Sequence, residues 1–117
     1  SFAATIPSAG SGIYAASKAA MTSLTRTMAA EWAPKGIRVN GYSPGVIETE
    51  MTKPAIQNNG ENMLDAIALH HFGKVDEMVK VVGFLASEDS EYITGINLDA
   101  SGGKYIVQNA GNAWKEK

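Results

Sequence analysis

Apolar and polar positions alternate along this chain with two different periods, and turn-forming residues separate the segments. Residues 1–11, SFAATIPSAGS, are small, polar and turn-rich and read as a loop. From Gly12 the period becomes helical: Met21, Leu24, Met28 and Trp32 fall on one stripe. Ala16, Ala20, Ser23, Thr27 and Ala30 fall on a second stripe of small residues. The spacing predicts a helix from Gly12 to Ala33, with Ser11 as N-cap and Pro34 and Gly36 as its stop. Two non-polar faces imply two neighbours, a sheet and another helix.

Further on, Ile37 to Ser43 (IRVNGYS) reads as a short strand ending at the Pro44-Gly45 turn. A loop is expected from Val46 to about Gly60, and a helix from Asn62 to Leu69. Asp76 to Ser87 carries acids in its first turn and apolar Met78, Val79, Val82, Phe84 and Leu85, which predicts another helix. Ile96 to Ala100 reads as a second strand before Gly102-Gly103, and the tail from Lys104 to Lys117 is polar with scattered aromatics. Strands alternating with helices predict an α/β fold with a parallel sheet, of which two strands are present.

Composition narrows the class without naming a chemistry. A length of 117 residues suits one domain, and 44% hydrophobic with 19% charged residues is globular. A net charge of −2 leaves no electrostatic footprint for nucleic acid or an anionic membrane. The apolar run Val81 to Ala86 is far short of the ~20 residues that span a bilayer. There is no cysteine, hence no disulfide framework or thiolate site, which suits a cytoplasmic protein. The chain opens at Ser1 without a methionine and reads as part of a longer protein.

Tyr14 and Lys18 lie one helical turn apart, on the same face. An ammonium beside a phenol favours the phenolate, which makes the tyrosine a credible proton donor and acceptor for a hydroxyl or carbonyl oxygen. By itself the spacing is better accounted for by a core tyrosine beside a solvated lysine. His70-His71 could suggest a metal, but adjacent residues point differently and no third ligand is spaced nearby. They are expected to be helix-end residues, with no metal site.

The segments YAASKAAMTSLTRTMAAEWAPKGIRVNGYSPGVIETEM and HFGKVDEMVKVVGFLASEDSEYITGINLDASGG resemble the classical short-chain dehydrogenase/reductase family. The resemblance implies the C-terminal part of a Rossmann-type doubly wound parallel sheet, with residues 1–117 forming a single partial domain. It also implies an oxidoreductase that moves hydride between NAD or NADP and a small alcohol or ketone. The family's catalytic tyrosine and lysine fall on Tyr14 and Lys18, and its serine on Ser1. Tyr14 would exchange a proton with the substrate oxygen, Ser1 would position that oxygen, and Lys18 would bond the nicotinamide ribose. Pro44, Gly45, Ile47 and Thr49 match the segment beside the nicotinamide: Ile47 would bond the carboxamide through its backbone, and Thr49 the carboxamide or pyrophosphate. Residues from Val46 to about His71 match the variable region that covers the substrate. Two departures stand out, Val75 where the family often has proline and DASGG at the close. The glycine-rich turn that seats the pyrophosphate, which belongs to the family's first half, has no counterpart in these residues. The resemblance further implies a homo-oligomer joined through the helix of residues 12–33. The alternative is a catalytically silent association module of the same fold.

Overall fold

The computed structural model describes residues 1–115, so the last two residues of the tail lie outside the described residues. Its elements run α1 (Gly12–Trp32), β1 (Gly41–Pro44), α2 (Lys53–Asp65), α3 (Val75–Ala86), β2 (Asn97–Ala100) and α4 (Asn112–Lys115). Gly41 N donates to Ile96 O at 2.9 Å and Gly45 N to Ala100 O at 3.3 Å. The partners advance together, so β1 and β2 form a parallel two-stranded sheet. The α/β class expected from the sequence is the one observed. The chain divides into two compact units, Ser1–Ser43 with Val81–Asp99, and Pro44–Lys80 with the residues from Ala100 onward.

In the first unit the loop expected at residues 1–11 contains a 3-10 turn, Phe2–Ala4, that packs against α1. Ser11 holds the N-cap position, but its side chain makes no capping bond. Its hydroxyl turns back instead, donating to Ser8 O at 2.8 Å and accepting from Ser8 N at 3.2 Å. The helix ends one residue earlier than expected and continues as a 3-10 turn through Ala33–Lys35.

The second expected stripe is exposed throughout, and of the first only Met28 is half-buried. Met21 is 59% exposed and Leu24 50% exposed, and Ala16, Ala20, Ser23, Thr27 and Ala30 are all exposed. The inward seam is Ala15, Lys18, Thr22, Thr25 and Ala29, of which only the two alanines are fully buried. Threonine fits such a seam because the helix itself absorbs its hydroxyl. Thr22 donates to Lys18 O at 3.3 Å and Thr25 to Met21 O at 2.9 Å. A methyl group is then left for packing.

The strand expected over Ile37–Ser43 shortens to Gly41–Pro44 because side chains take over the pairing of the residues before it. Val39 N donates to Thr94 Oγ1 at 3.1 Å, while Asn40 Nδ2 donates to Ile93 O at 3.0 Å and Asn40 Oδ1 accepts from Ile96 N at 3.2 Å. Arg38 reaches furthest. Its guanidinium donates to Ile93 O at 3.0 Å, Leu85 O at 2.9 Å and Ser87 O at 3.2 Å. Leu85 lies in the last turn of α3, whose final carbonyls have no partner within the helix, and a cation there is favourable. Buried Ser90 adds its hydroxyl to the same two carbonyls, at 2.9 Å and 3.1 Å.

In the second unit the expected loop from Val46 to Gly60 is largely helix. Helix α2 begins at Lys53, with Pro54 in its first turn, where a missing N–H costs nothing. Asn58-Asn59-Gly60, which reads as a turn, interrupts the helix only at Asn59 (φ −146°, ψ 25°). The helix also stops at Asp65, short of Leu69. Ile67, 1% exposed, is the bulkiest fully buried side chain among the described residues. No helix among the described residues is long and apolar enough to cross a membrane.

Removing the Arg38 fork should therefore be costly. Arg38→Met is expected to destabilise the protein by ~2–4 kcal/mol in urea unfolding, since three charge-assisted bonds go and the α3 carbonyls lose a donor. Arg38→Lys should recover less than half of that, because an ammonium cannot span the carbonyls as the fork does.

Candidate active site

In the first unit the 3-10 turn carries Ser1 to the opening turn of α1. Tyr14 donates its phenolic hydrogen to Ser1 Oγ at 3.3 Å, and the same oxygen accepts from Ala3 N at 3.2 Å. With two donors directed at it, Ser1 Oγ is oriented, and its own hydrogen is free to turn elsewhere. Lys18 follows one turn along. Its Nζ lies 5.3 Å from the centroid of the Tyr14 ring, over the ring. The ion pairs among the described residues are Lys53–Glu50 and Lys115–Asp65, and Lys18 is in neither. The structure thus brings together Ser1 and Tyr14, expected to act on a substrate oxygen, and Lys18, expected to bond the ribose. Tyr14 is half exposed, so the phenol is accessible.

The residues expected near a nicotinamide lie in the second unit. Gly45 follows β1, and a Cβ built there would fall 2.7 Å from Ser101 Cα and 2.8 Å from Ser101 O. The close approach that this glycine permits is thus to the backbone after β2. Ile47 forms a parallel bridge with Gly73, through Gly73 N to Val46 O at 2.9 Å and Glu48 N to Gly73 O at 2.8 Å. That pattern turns the amide and carbonyl of Ile47 itself to the opposite side. There the carbonyl accepts from the Thr52 hydroxyl. Thr49 and Thr52 exchange bonds at the start of α2, with Thr49 N donating to Thr52 Oγ1 at 3.0 Å and the two hydroxyls 3.2 Å apart. These groups suit the amide end of a nicotinamide, being a directed backbone amide and an exposed hydroxyl.

The histidine pair is not where it was expected. With α2 ending at Asp65, His70 stands past the following turn at φ 55°, and its ring stacks on Trp114 with centroids 5.0 Å apart. Among the described residues no group of three or more His, Cys, Asp or Glu side chains could hold a metal. Sequence reasoning missed Arg38, Thr52 and Ser101. Only Arg38 carried a signal, as a charge inside an otherwise apolar and polar-neutral strand.

A family model described as Enoyl-(Acyl carrier protein) reductase matches residues 1–104. The 3-oxoacyl-[acyl-carrier-protein] reductase FabG of Pseudomonas aeruginosa is 41% identical over 98 residues, which is 84% of this chain and 40% of that protein. A short-chain dehydrogenase/reductase of Brucella melitensis, described as a glucose/ribitol dehydrogenase, superposes with a TM-score of 0.77 at 38% identity, covering 83% of this chain and 39% of its own. A blue fluorescent protein from a metagenomic library, solved in complex with NADPH, gives a TM-score of 0.80 at 36% identity, covering 89% and 42%. The chain thus spans about two fifths of the length of the curated relatives it matches.

Gly45 offers a direct test of the local geometry. Gly45→Ala is expected to lower stability by ~2 kcal/mol or more in thermal unfolding, because the added carbon meets backbone that cannot rotate away. Adding Ser101→Gly should not rescue it, since the clash is with Cα and the carbonyl oxygen.

Proposed function

Because the chain belongs to the short-chain dehydrogenase/reductase family, we propose that it supplies the acid/base and nicotinamide-facing part of an NAD(P)-dependent oxidoreductase. The substrate is a small alcohol or its ketone, and residues 1–117 are the C-terminal part of one Rossmann-type domain. The observation that carries this reading is the hydrogen bond from Tyr14 to Ser1, with Lys18 over the same ring.

NAD or NADP, when bound, would supply hydride to the carbonyl carbon or accept it from the carbinol carbon. When hydride arrives, charge develops on the carbonyl oxygen and needs donors already in place. Ser1 Oγ, held by Ala3 N and Tyr14, turns its own hydrogen to that oxygen. Tyr14 turns its one hydrogen from Ser1 Oγ to the same substrate oxygen and transfers it as a proton, and the Lys18 ammonium stabilises the phenolate left behind. Lys18 would also bond the ribose hydroxyls of that cofactor, and the outward amide of Ile47 and the Thr49 hydroxyl would hold its carboxamide. Pro44 and Gly45 fix the start of that segment. The NADPH complex of the related blue fluorescent protein supports the cofactor class.

The same reading includes a cytoplasmic homo-oligomer joined through α1, because Ile13 is 91% exposed and Met21 and Leu24 lie open beside it. Those exposed residues equally favour the second reading, an association module without catalysis. The two part on one substitution. In the full-length protein that carries this chain, Tyr14→Phe should cut kcat by ~100-fold or more while cofactor affinity stays unchanged. Lys18→Met should weaken both. Retention of activity by the Tyr14 variant would sink the catalytic assignment.

Sedimentation tests the oligomer. Wild type should run as a dimer or larger species at micromolar concentration, and Leu24→Glu should shift it towards smaller species. A wild-type monomer would contradict the association.

A further inference from the structure

Asparagine followed by glycine occurs twice in this chain, at Asn40-Gly41 and at Asn59-Gly60, and the fold treats the two pairs in opposite ways. The pair matters chemically because an asparagine side-chain carbonyl can reach the amide nitrogen of the next residue. Glycine in that next position leaves the nitrogen unshielded and its peptide free to turn.

In the first unit Asn40 is locked. Its Nδ2 donates to Ile93 O at 3.0 Å, and its Oδ1 accepts from Ile96 N at 3.2 Å. The nitrogen that would attack it, Gly41 N, is itself committed, donating to Ile96 O at 2.9 Å. Three bonds have to open before the side chain can meet that nitrogen, and opening them breaks the approach to β1.

In the second unit Asn59 is exposed and stands where α2 leaves helical dihedrals (φ −146°, ψ 25°). A helix interior holds each peptide against rotation through its ladder of hydrogen bonds, and a break in the helix weakens that hold locally. Ring closure needs the Asn59–Gly60 peptide to rotate away from this ψ, and glycine makes the rotation easy. The side chain is prepared as well. Asn59 Oδ1 accepts from Asn62 Nδ2 at 2.7 Å, which draws electrons from Cγ and stabilises an oxyanion formed there. Asn59, Gly60 and Asn62 also line an open cavity of about 440 Å³, through which water reaches the same carbon.

We propose that Asn59 is a site of spontaneous deamidation by water, assisted by Asn62, and that Asn40 is not. Gly60 N, after losing its proton to hydroxide, bonds to Asn59 Cγ. The Cγ–Nδ2 bond breaks, and ammonia leaves with a proton taken from water, which restores the hydroxide. The cyclic imide then takes up water at either of its two carbonyls. One opening gives aspartate. The other gives isoaspartate, whose backbone runs through the side chain and is one carbon longer. Both products add a negative charge beside Glu61, and the isoaspartyl form cannot carry the helical backbone from Asn58 into Gly60. The reaction uses no catalytic residue and is independent of the oxidoreductase reading.

Peptide mapping by mass spectrometry, after incubation of the full-length protein at mildly alkaline pH, tests this directly. Asn59 should convert from amide to acid at least about tenfold faster than Asn40, giving both aspartyl and isoaspartyl peptides. In urea, where the fold no longer separates the two pairs, they should convert at similar rates. Gly60→Ala should slow the reaction at Asn59 severalfold. The added carbon would meet Ile56 Cγ2 at 3.7 Å, an ordinary contact, so this variant should fold. Asn62→Ala should slow the reaction roughly threefold to tenfold, the rate equivalent of one hydrogen bond. Asn59→Gln should abolish it, because the larger ring closes poorly. Equal conversion of Asn40 and Asn59 in the folded protein, or conversion of Asn59 in urea alone, would overturn the proposal. An Asn62→Ala variant as fast as wild type would overturn the assistance by Asn62.

Discussion

One guanidinium organises the first unit. The last carbonyls of α3 have no helical partners, and the residues before β1 have no continuous ladder. Arg38 resolves both deficits with a single planar group, holding Leu85, Ser87 and Ile93 carbonyls at once. Asn40 repeats the device on a smaller scale by donating to Ile93 O and accepting from Ile96 N. The outcome is a fixed register, with Gly41 opposite Ile96 and the same offset kept at Gly45 and Ala100. A one-residue slip would reverse every side chain of the strand, so what Arg38 secures is the facing of the β1 side chains.

The candidate site shows a complementary economy, in which one oxygen or hydroxyl serves several neighbours. Ser1 Oγ receives both Ala3 N and Tyr14. Thr52 Oγ1 serves Thr49 N and the Ile47 carbonyl. Lys18 is different in kind, because its inward position on α1 places a charge over a ring with no carboxylate to neutralise it among the described ion pairs. An unneutralised cation next to a phenol is the arrangement that proton transfer from that phenol needs.

The fold class, the two strands and α3 were legible because each rests on local information. Asp76 and Glu77 announce the start of α3, and Pro44-Gly45 ends β1. The spacing of Tyr14 and Lys18 put both on one face, and α1 kept them there. Other features depended on distant partners. Whether a face of α1 is inward depends on what packs against it, so the seam through Thr22 and Thr25 is invisible to a pattern of apolar residues. Helix α2 hid behind Pro54 and Asn58-Asn59-Gly60, residues that mark turns when nothing else constrains them. The reason for Gly45 lies at Ser101, more than fifty positions on, where no local rule reaches.

Among the described residues the buried apolar ones are Ala15, Ala29, Ile67 and Ala110, and three of those four are alanines. Larger side chains such as Ile13, Met21, Val79 and Phe84 remain in water. Heat capacity follows hydrated apolar surface, so unfolding these residues alone would change it by less than the ~12–15 cal/mol/K per residue of an ordinary domain. Any surface that covers Ile13 and Met21 would add buried apolar area, and with it a steeper dependence of stability on temperature, towards the cold as well as the heat.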